Sequence, residues 1–578
     1  MNRLTLPRIP ETIKAKHYRT GRLVALVGAL IAVASIYLPW SYGSEPLDNM
    51  TYLGGPSPLQ FAGGALALIV ALMLVGAVVS SRLTRVKGRT KLLHRVAWNR
   101  AARAGALGLL AFVVVVLASI ALTLGGLVNV EYGGWVALAG SALAVLGTRL
   151  LSSRQSPSLE RAPHVPVLEI VTIAVVLLGG LMLVSYALNQ RDGDTFIVLL
   201  VHLAAMIVIA ARSGLGTWLA VAGQRHRKVL VFSAFAVAFL FPFTQNGSDE
   251  NMSIATQVLI FAATAVGLNI VVGLAGLLDL GYIAFLGAGA YVAAVLSRSA
   301  YATFDIHPPF IVVVLVSGLV AATLGLIIGS PTLRVSGDYL AIVTLAFGEI
   351  FRITMSNLDG TDGPNITRGA SGIPGIPNLK VFGFDFGAEH VVAGITLGRF
   401  ANYFFLMLIV MALIIWVFTR LNYSRIGRGW VAIREDEKAA EAMGVNVFGL
   451  KLLAFAGGAF LAGLAGSVKA HVDTQATPEQ YVFLESAFLL AAVVLGGMGT
   501  VLGVIVGAVL LKLVPEKLRF LSEFRMLGFG LLMVLMMRFR PEGMIPNSRR
   551  QLEFHTDDQD LADEFDDDLP YEFVEERA

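Results

Sequence analysis

The chain of 578 residues contains no cysteine and few charged residues. Without cysteine it can form no disulfide, use no thiol nucleophile and offer no thiolate ligand to a metal. Charged residues make up 15% of the chain, well below the roughly 25% of soluble domains. The sequence also lacks the G-x-x-x-x-G-K-[ST], H-E-x-x-H and G-x-S-x-G motifs, and its histidines show no metal-ligand spacing. These absences argue against an enzyme and against ATP hydrolysis by a P-loop of this chain.

Hydrophobic residues account for 56% of the chain, and they fall into runs long enough to cross a bilayer. Because backbone groups in hydrocarbon must bond within their own segment, helices are expected, and the alternation typical of a membrane barrel is absent. The sequence therefore predicts an all-α, polytopic helical membrane protein with about sixteen transmembrane helices. We place the spans at about 23–40, 59–79, 104–124, 133–151, 167–188, 195–211, 229–243, 254–278, 282–298, 310–330, 338–356, 401–418, 450–471, 481–498, 500–514 and 523–539.

Charge asymmetry predicts the orientation of the chain in the membrane. Residues 3–22, 82–103, 149–161 and 212–228 are rich in arginine and lysine, whereas the connections between them carry mainly acidic residues. Because basic connections stay preferentially on the cytoplasmic side, we expect the N-terminus there. Counting the spans forward places residues 419–449 and the C-terminus on the same side.

Composition divides the chain into three parts. Residues 1–228 hold about six spans with few polar residues inside them, and anchoring, assembly or regulation are the roles open to this extension. Residues 229–545 hold about ten spans that carry glycines, amides and charges, so the functional candidates lie there. Residues 546–578 are acidic and predict a disordered cytoplasmic tail.

A charged segment, Arg425–Gly444, lies between two apolar runs within the predicted loop 419–449. Good helix formers between Val431 and Met443 predict one short helix, and Gly444 suits a left-handed C-terminal cap. A helix this short is marginal alone in water, so we expect the flanking membrane spans to hold it. The segment predicts either a surface that another protein grips or an ordinary basic loop.

Two polar residues frame a pair of glycines near residue 275. Asn269 and Asp279 flank Gly273 and Gly276, a pattern expected of an interrupted membrane helix that lines a cavity. Ionisable groups are costly inside a bilayer and tend to face a pathway or a partner. We therefore treat Asn269 and Asp279 as candidates for a translocation pathway.

The predicted span 338–356 carries further polar residues. Thr344 and Arg352 lie on one helical face, and Glu349 can pair with Arg352 at i, i+3. Asp338 would open this helix, where a carboxylate favours the N-terminal dipole. A structural Glu349–Arg352 pair and an N-capping Asp338 also fit this pattern. The full set of pathway candidates is Asn269, Asp279, Asp338, Thr344, Glu349 and Arg352.

Four segments of the sequence, in the same order, resemble the membrane permease of bacterial branched-chain amino acid ABC importers, the LivM type. They are Gly267–Tyr291, Leu333–Glu349, Arg425–Gly444 and Val494–Thr500. The resemblance covers about residues 229–545 and leaves the extension outside. It implies a multi-pass transport subunit of a bacterial inner membrane that is not itself an enzyme.

The resemblance also implies partners. It implies a second permease subunit, identical or different, with two cytoplasmic ATPase subunits and an external substrate-binding protein. The ATPases would use the ATP, so no cofactor or metal is expected on this chain, and no nucleic acid among its partners. A short coupling helix in the cytoplasmic loop would dock onto the ATPase, whereas the external loop Asn357–Phe400 would meet the binding protein. The ATPase-coupling candidates are Arg428, Arg434, Glu435, Glu437, Ala440 and Gly444.

Other functions remain open at this point. Related permeases for urea or short amides share the same motifs, so branched-chain amino acids are not the sole possible substrate. An ion-coupled secondary transporter would use intramembrane carboxylates such as Asp338 and Glu349, and it would need no ATPase. A membrane-embedded enzyme with external polar loops would turn over its substrate without moving it across the membrane.

Overall fold

A computed structural model describes residues 11–41, 58–83, 96–151, 166–189, 193–245, 247–304, 306–332, 339–361, 364–392 and 394–517, with single positions between 527 and 545. The chain divides into two compact units, Met1–Gln245 and Asn246–Ala578. The predicted acidic tail, residues 546–578, lies outside the described residues.

The described part of the first unit consists of helices. Within this unit α3 packs against α2, α4 and α6, and α1 packs along α4. Phe112 of α3 is fully buried at the centre of the largest apolar cluster of this unit. The helices are α1 (Glu11–Ala34), α2 (Pro58–Leu83), α3 (Trp98–Leu124), α4 (Tyr132–Arg149), α5 (Pro166–Asn189), α6 (Gly193–Ser213), α7 (Leu215–Arg225) and α8 (Arg227–Thr244).

A buried carboxylate ties α5 to the α7–α8 junction. Glu169 on α5 is 1% exposed, and its carboxylate accepts a hydrogen bond from Nη1 of Arg225 at 2.7 Å. Nε2 of His226 lies 3.0 Å from the other carboxylate oxygen. Burying a carboxylate is tolerated only when partners compensate its lost hydration. The role of Glu169 could not be predicted from the sequence, because its partners lie 56 and 57 positions away along the chain.

The boundary between the units lies after Gln245. Composition alone placed the boundary after residue 228, at the start of the predicted span 229–243. That span forms α8, which packs against α5 and α7 of the first unit. Tertiary contacts of this kind leave no mark on composition.

The second unit is built around one long helix, α16. This helix packs against α9, α10 and α11, and the largest apolar cluster of the chain surrounds it. The helices of this unit are α9 (Asp249–Asn269), α10 (Ile283–Val295), α11 (Phe310–Thr332), α12 (Tyr339–Asn357), α13 (Arg399–Asn422), α14 (Arg425–Glu435), α15 (Glu437–Ala442), α16 (Val447–Asp473), α17 (Phe483–Gly496) and α18 (Val501–Lys517).

Short antiparallel strand pairs fold the loop between α12 and α13. The strands are β1 (Ile373–Pro374), β2 (Lys380–Val381), β3 (Phe384–Asp385), β4 (His390–Val392), β5 (Ile395–Leu397) and β6 (Gln475–Ala476). β2 pairs with β3 and β4 with β5, whereas β1 pairs with β6 beyond the end of α16, with Ile373 opposite Ala476. Arg399 adds hydrogen bonds of 2.7 and 2.8 Å to the carbonyl oxygens of His471 and Val472. The loop is therefore fastened to the end of α16.

The predicted class, a polytopic helical membrane protein, is confirmed. Twelve helices of the described residues are long and apolar enough to cross a membrane. The count of about sixteen stays a prediction, since α10 is shorter and the span predicted at 523–539 lies mostly outside the described residues. The span predicted at 254–278 is wrong in one respect: its α-helix ends at Asn269, and a π-helical turn, Ile270–Leu274, follows.

We predict that the close packing of α16 against α11 sets the stability of the second unit. A Cβ atom on Gly463 would lie 2.6 Å from the carbonyl oxygen of Ser317 and 2.7 Å from Cβ of Ala321. Gly463→Ala should therefore destabilise the fold by about 1–3 kcal/mol, as overpacking does, and should lower the midpoint of thermal unfolding in detergent.

The matched control lies on the same helix. A Cβ atom on Gly457 would have no neighbour within 4 Å, so Gly457→Ala should leave the midpoint unchanged or raise it, because alanine favours the helix. Equal midpoints for the two variants would contradict this account of the packing.

Candidate functional site

A break in a membrane helix forms the centre of the candidate site. After α9 the chain runs through the π-helical turn Ile270–Leu274 and then leaves helical conformation until α10 begins at Ile283. Gly276 has φ +74°, in the left-handed region that glycine adopts without strain. We call residues 270–282, with the flanking Asn269 and Ile283, the helix break. The interruption that the glycine pair predicted is thus confirmed.

Asn269 binds the backbone of the turn between α17 and α18. Its Oδ1 accepts a hydrogen bond from the backbone N–H of Gly499 at 2.8 Å, and its Nδ2 donates to the carbonyl oxygen of Thr500 at 3.2 Å. Asn269 is fully buried. One amide side chain therefore joins the end of α9 to the turn between α17 and α18, which is a structural role whether or not Asn269 also lines a pathway.

Asp279 is a buried carboxylate with one oxygen in use. The residue is 1% exposed, and its Oδ1 accepts from the backbone N–H of Gly281 at 2.9 Å. Its Oδ2 is buried and finds no hydrogen-bond partner within the part of the chain that the structure describes. Such an oxygen is costly to bury unless something else binds it.

Side chains of two other helices satisfy backbone N–H groups of the break, and a side chain of the break binds the backbone of a third helix. Oγ1 of Thr344 on α12 accepts from the N–H of Leu280 at 3.1 Å, and Oγ of Ser486 on α17 accepts from the N–H of Ile283 at 3.0 Å. Tyr282 is fully buried and donates its hydroxyl to the carbonyl oxygen of Gly458 on α16 at 2.6 Å. The structure thus brings Asn269, Asp279 and Thr344 to the same break.

The other candidates on α12 lie elsewhere. Arg352 pairs with Glu349, its Nε donating to Oε1 at 2.9 Å, and it reaches Glu479 before α17 at 3.4 Å. The side chain of Glu349 is 40% exposed, so it belongs to the rim of the unit rather than to its buried centre. Asp338 lies outside the described residues.

The charged segment forms two helices rather than the single helix predicted from Val431 to Met443. Asp436 is extended, with φ −154° and ψ 109°, and it ends α14. Its side chain then caps α15 by accepting from the N–H of Ala439 at 3.0 Å. The interruption at Asp436 was not predicted, because an aspartate within a run of helix formers is equally typical of an exposed position inside one continuous helix. Gly444 has φ +81°, as predicted for the left-handed cap.

Trp430 anchors α14 to α16. Its side chain is fully buried, and Nε1 donates to the carbonyl oxygen of Leu450 at 2.7 Å. Glu437 at the start of α15 pairs with Lys451 of α16 at 2.6 Å. Neither Trp430 nor Lys451 is among the residues predicted from the sequence to take part in coupling. The signal for Trp430 was a single large aromatic in an otherwise polar loop.

Arg434 links α14 directly to the helix break. Its Nη1 donates to the carbonyl oxygen of Gly273 at 2.9 Å, and its side chain covers Gly276, where a Cβ atom would lie 2.5 Å from Cγ of Arg434. Its other terminal nitrogen contacts Glu435 at 2.8 Å. The guanidinium group of Arg434 is thus hydrogen-bonded to a backbone carbonyl within the π-helical turn.

The six predicted coupling candidates therefore fall into two groups. The side chain of Arg434 is 17% exposed, and Ala440 is 5% exposed; both face the body of the unit. The other four, Arg428, Glu435, Glu437 and Gly444, are exposed. Met443, which the sequence analysis passed over, is 85% exposed beside them. We call the exposed surface of α14 and α15 the docking face.

A cavity of about 480 Å³ opens at the end of α13 opposite the docking face. Arg298, His307 and Lys380 line it together with Asn378 and the buried His471. The Nδ1 atom of His471 lies 3.0 Å from the carbonyl oxygen of Pro377. The cavity therefore combines basic side chains with an apolar wall that includes Leu296 and Phe310, and the folded loop between α12 and α13 forms part of it.

Metal chemistry finds no support in the described residues. Within them, no group of three or more histidine, aspartate or glutamate side chains could hold a metal ion. At the helix break, Oδ1 of Asp279 and the hydroxyl of Tyr282 pair with backbone N–H and carbonyl groups.

Comparison with known proteins assigns the family. The family model described as "Branched-chain amino acid transport system / permease component" matches residues 251–537. The high-affinity branched-chain amino acid transport system permease proteins LivM of Salmonella typhimurium and of Escherichia coli K12 are each 40% identical over 340 residues, covering 56% of this chain and 76% of theirs. The match starts after residue 250, so the family model leaves the first unit outside.

More distant relatives include other permeases. The ribose import permease protein RbsC of Haemophilus influenzae is 28% identical over 295 residues, 50% of this chain and 83% of its own. The branched-chain permease protein LivH of Salmonella typhimurium is 30% identical over 162 residues, 27% of this chain and 50% of its own. No solved structure matches the chain. On the similarity to LivM, this chain belongs to the family of permease components of branched-chain amino acid transport systems.

Proposed function

We propose that this chain is the membrane subunit of an ATP-driven importer of branched-chain or related amino acids. In this proposal its second unit forms part of the translocation pathway, and separate ATPase subunits hydrolyse the ATP. The permease relatives named above support the transport role. The observation that carries the coupling role is the hydrogen bond from Arg434 to the carbonyl oxygen of Gly273. It connects an exposed loop to a break in a membrane helix.

The partners follow from the same proposal. A second permease subunit, of the same or a related chain, would complete the pathway, since LivM and LivH are both permease proteins. One of the two cytoplasmic ATPases would bind the docking face of this chain through Arg428, Glu435, Glu437 and Gly444. A substrate-binding protein would meet the opposite end, where the loop between α12 and α13 is folded against α16. Both termini would lie on the cytoplasmic side of a bacterial inner membrane.

The coupling step is a movement of the docking face that the helix break must follow. Trp430 fixes α14 to α16, and Arg434 fixes α14 to the break. ATP-driven closure of the ATPases would displace α14 and α15 together. Because Thr344, Ser486 and Asn269 hold other points of the same break, the displacement would change how α12, α17 and α18 meet it.

An ion-coupled secondary transporter is the second candidate, and one observation favours it. Oδ2 of Asp279 is buried without a partner in the described chain, as a carboxylate that binds and releases an ion would be. The substrate question also stays open within the ATP-driven reading. Urea or short amides are the runner-up, since related permeases share the same motifs, and the external binding protein would select the substrate.

We predict that Glu437→Arg prevents the ATPase from docking. Glu437 is exposed at the start of α15, where it also pairs with Lys451. Reversing its charge should reduce co-purification of the ATPase at least tenfold, the effect of losing about 1.4 kcal/mol of binding free energy. Glu389→Arg is the control, since Glu389 is also exposed but lies beyond the other end of α13. Equal recovery of ATPase with both variants would reject the docking face.

Arg434→Met should uncouple ATP hydrolysis from transport without loss of docking. The methionine keeps an apolar stem over Gly276 but removes the hydrogen bond to Gly273, so we expect uptake to fall about tenfold, the effect of losing roughly 1.4 kcal/mol, while the ATPase still co-purifies. Arg428→Met is the contrasting variant. Because Arg428 is exposed on the docking face, its replacement should weaken docking of the ATPase itself. Wild-type uptake by Arg434→Met would contradict the coupling role.

Asp279→Asn separates the two candidate mechanisms. Asparagine keeps the oxygen that accepts from Gly281 but removes the charge, so ATP-driven uptake into proteoliposomes should stay within about twofold of wild type, as expected when one retained hydrogen bond is the main role. Two results together would instead establish the ion-coupled transporter. The Asp279→Asn variant would lose uptake, and uptake by the wild type would need an ion gradient but no ATP. Glu349→Gln, at the exposed pair with Arg352, is the control for removal of a carboxylate.

A further inference from the structure

The first unit contains a groove of about 770 Å³ between α3 and α6. The two helices meet closely at its floor, where a Cβ atom on Gly108 would lie 2.5 Å from Cβ of Ala205. Small residues such as Ala104 and Ala204 line the groove on either side of this contact. The groove lies outside residues 251–537, which the family model matches, so it belongs to the part of the chain with no assigned role.

Three arginines stand at one end of this groove. Arg100 and Arg103 lie near the start of α3, and Arg212 lies in the last turn of α6. Because α3 and α6 run in opposite directions, these positions meet at the same end. The residues of the described chain that line the groove include no aspartate or glutamate. The end of the groove therefore concentrates positive charge without an opposing carboxylate in its lining.

The remainder of the groove is apolar and has the length of one lipid leaflet. Leu107 and Ala111 of α3 face Val201 and Val208 of α6 along it. From Arg100 to Ala111, α3 rises by about 17 Å. Half of the hydrocarbon core of a bilayer measures about 15 Å. Arginines at one end of such a groove lie at headgroup depth while its apolar walls lie at the depth of the acyl chains.

We propose that this groove binds an anionic phospholipid. The guanidinium groups of Arg103 and Arg212 would hold the lipid phosphate, a pairing for which the planar fork of arginine is suited. The acyl chains would lie against Leu107, Val201 and Val208. On the orientation proposed above, the basic end faces the cytoplasmic leaflet, where anionic lipids attract basic residues at the membrane surface. The lipid would thereby hold α3 and α6 together along their open side.

The test is a lipid titration of the full-length protein. The purified, delipidated chain is titrated with dioleoylphosphatidylglycerol in mixed micelles, and bound lipids are counted by native mass spectrometry. The double variant Arg103→Gln/Arg212→Gln should bind about 30-fold more weakly than wild type, the effect expected from two basic residues near an anionic headgroup. The matched control is Arg19→Gln/Lys228→Gln, which removes two exposed charges of the same unit outside the groove and should change the affinity by less than about twofold.

A second variant tests the apolar part of the groove. Ala204 is exposed and lines the groove, so Ala204→Trp should fill it and displace the lipid while all three arginines remain. The folded state of each variant is checked by its thermal unfolding. Loss of the lipid in both the arginine and the tryptophan variants would support the proposal.

Four results would overturn it. The arginine variant could bind phosphatidylglycerol as tightly as its control, or dioleoylphosphatidylcholine could bind wild type equally well. Inorganic phosphate alone could bind with the affinity of the lipid, in which case the apolar walls contribute nothing. A protein helix could occupy the groove in protein purified from native membranes, with no lipid retained there; a protein partner would then be the occupant.

Discussion

A membrane helix that stops being helical must find new partners for its backbone, because the hydrocarbon region supplies no water. This constraint governs the second unit. The helix break after α9 is paired by side chains from the elements around it: Asn269 reaches the α17–α18 turn, Thr344 comes from α12, Ser486 from α17 and Arg434 from α14. The break is thus hydrogen-bonded to α12, α14, α17 and the turn before α18.

Arg434 differs from the other partners because it belongs to the charged loop rather than to a membrane span. The positive charge of its guanidinium strengthens its hydrogen bond to the carbonyl oxygen of Gly273. Trp430 holds the same helix to α16 by a buried indole. A force on the docking face therefore has two fixed routes into the membrane part, one to the break and one to α16. This arrangement supports the coupling role that we propose for the charged loop.

The helical membrane class and the helix break could be predicted from the sequence. The contacts that could not be predicted depend on long-range partners or on backbone conformation. Apolar runs predict the helical membrane class, and Gly273 with Gly276 predicts the break, because both depend on local composition and backbone freedom. Three contacts could not be predicted, since each depends on a partner distant in sequence. They are the bond from Arg434 to Gly273, the bond from Trp430 to Leu450 and the pair of Glu169 with Arg225. The second helix in the charged segment was missed because Asp436 caps a helix only when the chain turns extended there.

The most direct test of the account is a distance measurement between α15 and the helix break. Because the chain has no cysteine, spin labels can be placed by Met443→Cys and Leu278→Cys, two exposed positions, in the complex with its ATPase. Double electron–electron resonance with and without ATP should give the same Met443–Leu278 distance, while the distance between Met443 and a label at Ile350, an exposed position on α12, changes. A nucleotide-dependent shift between Met443 and Leu278 would show that the docking face and the break move separately, and would contradict the proposed coupling.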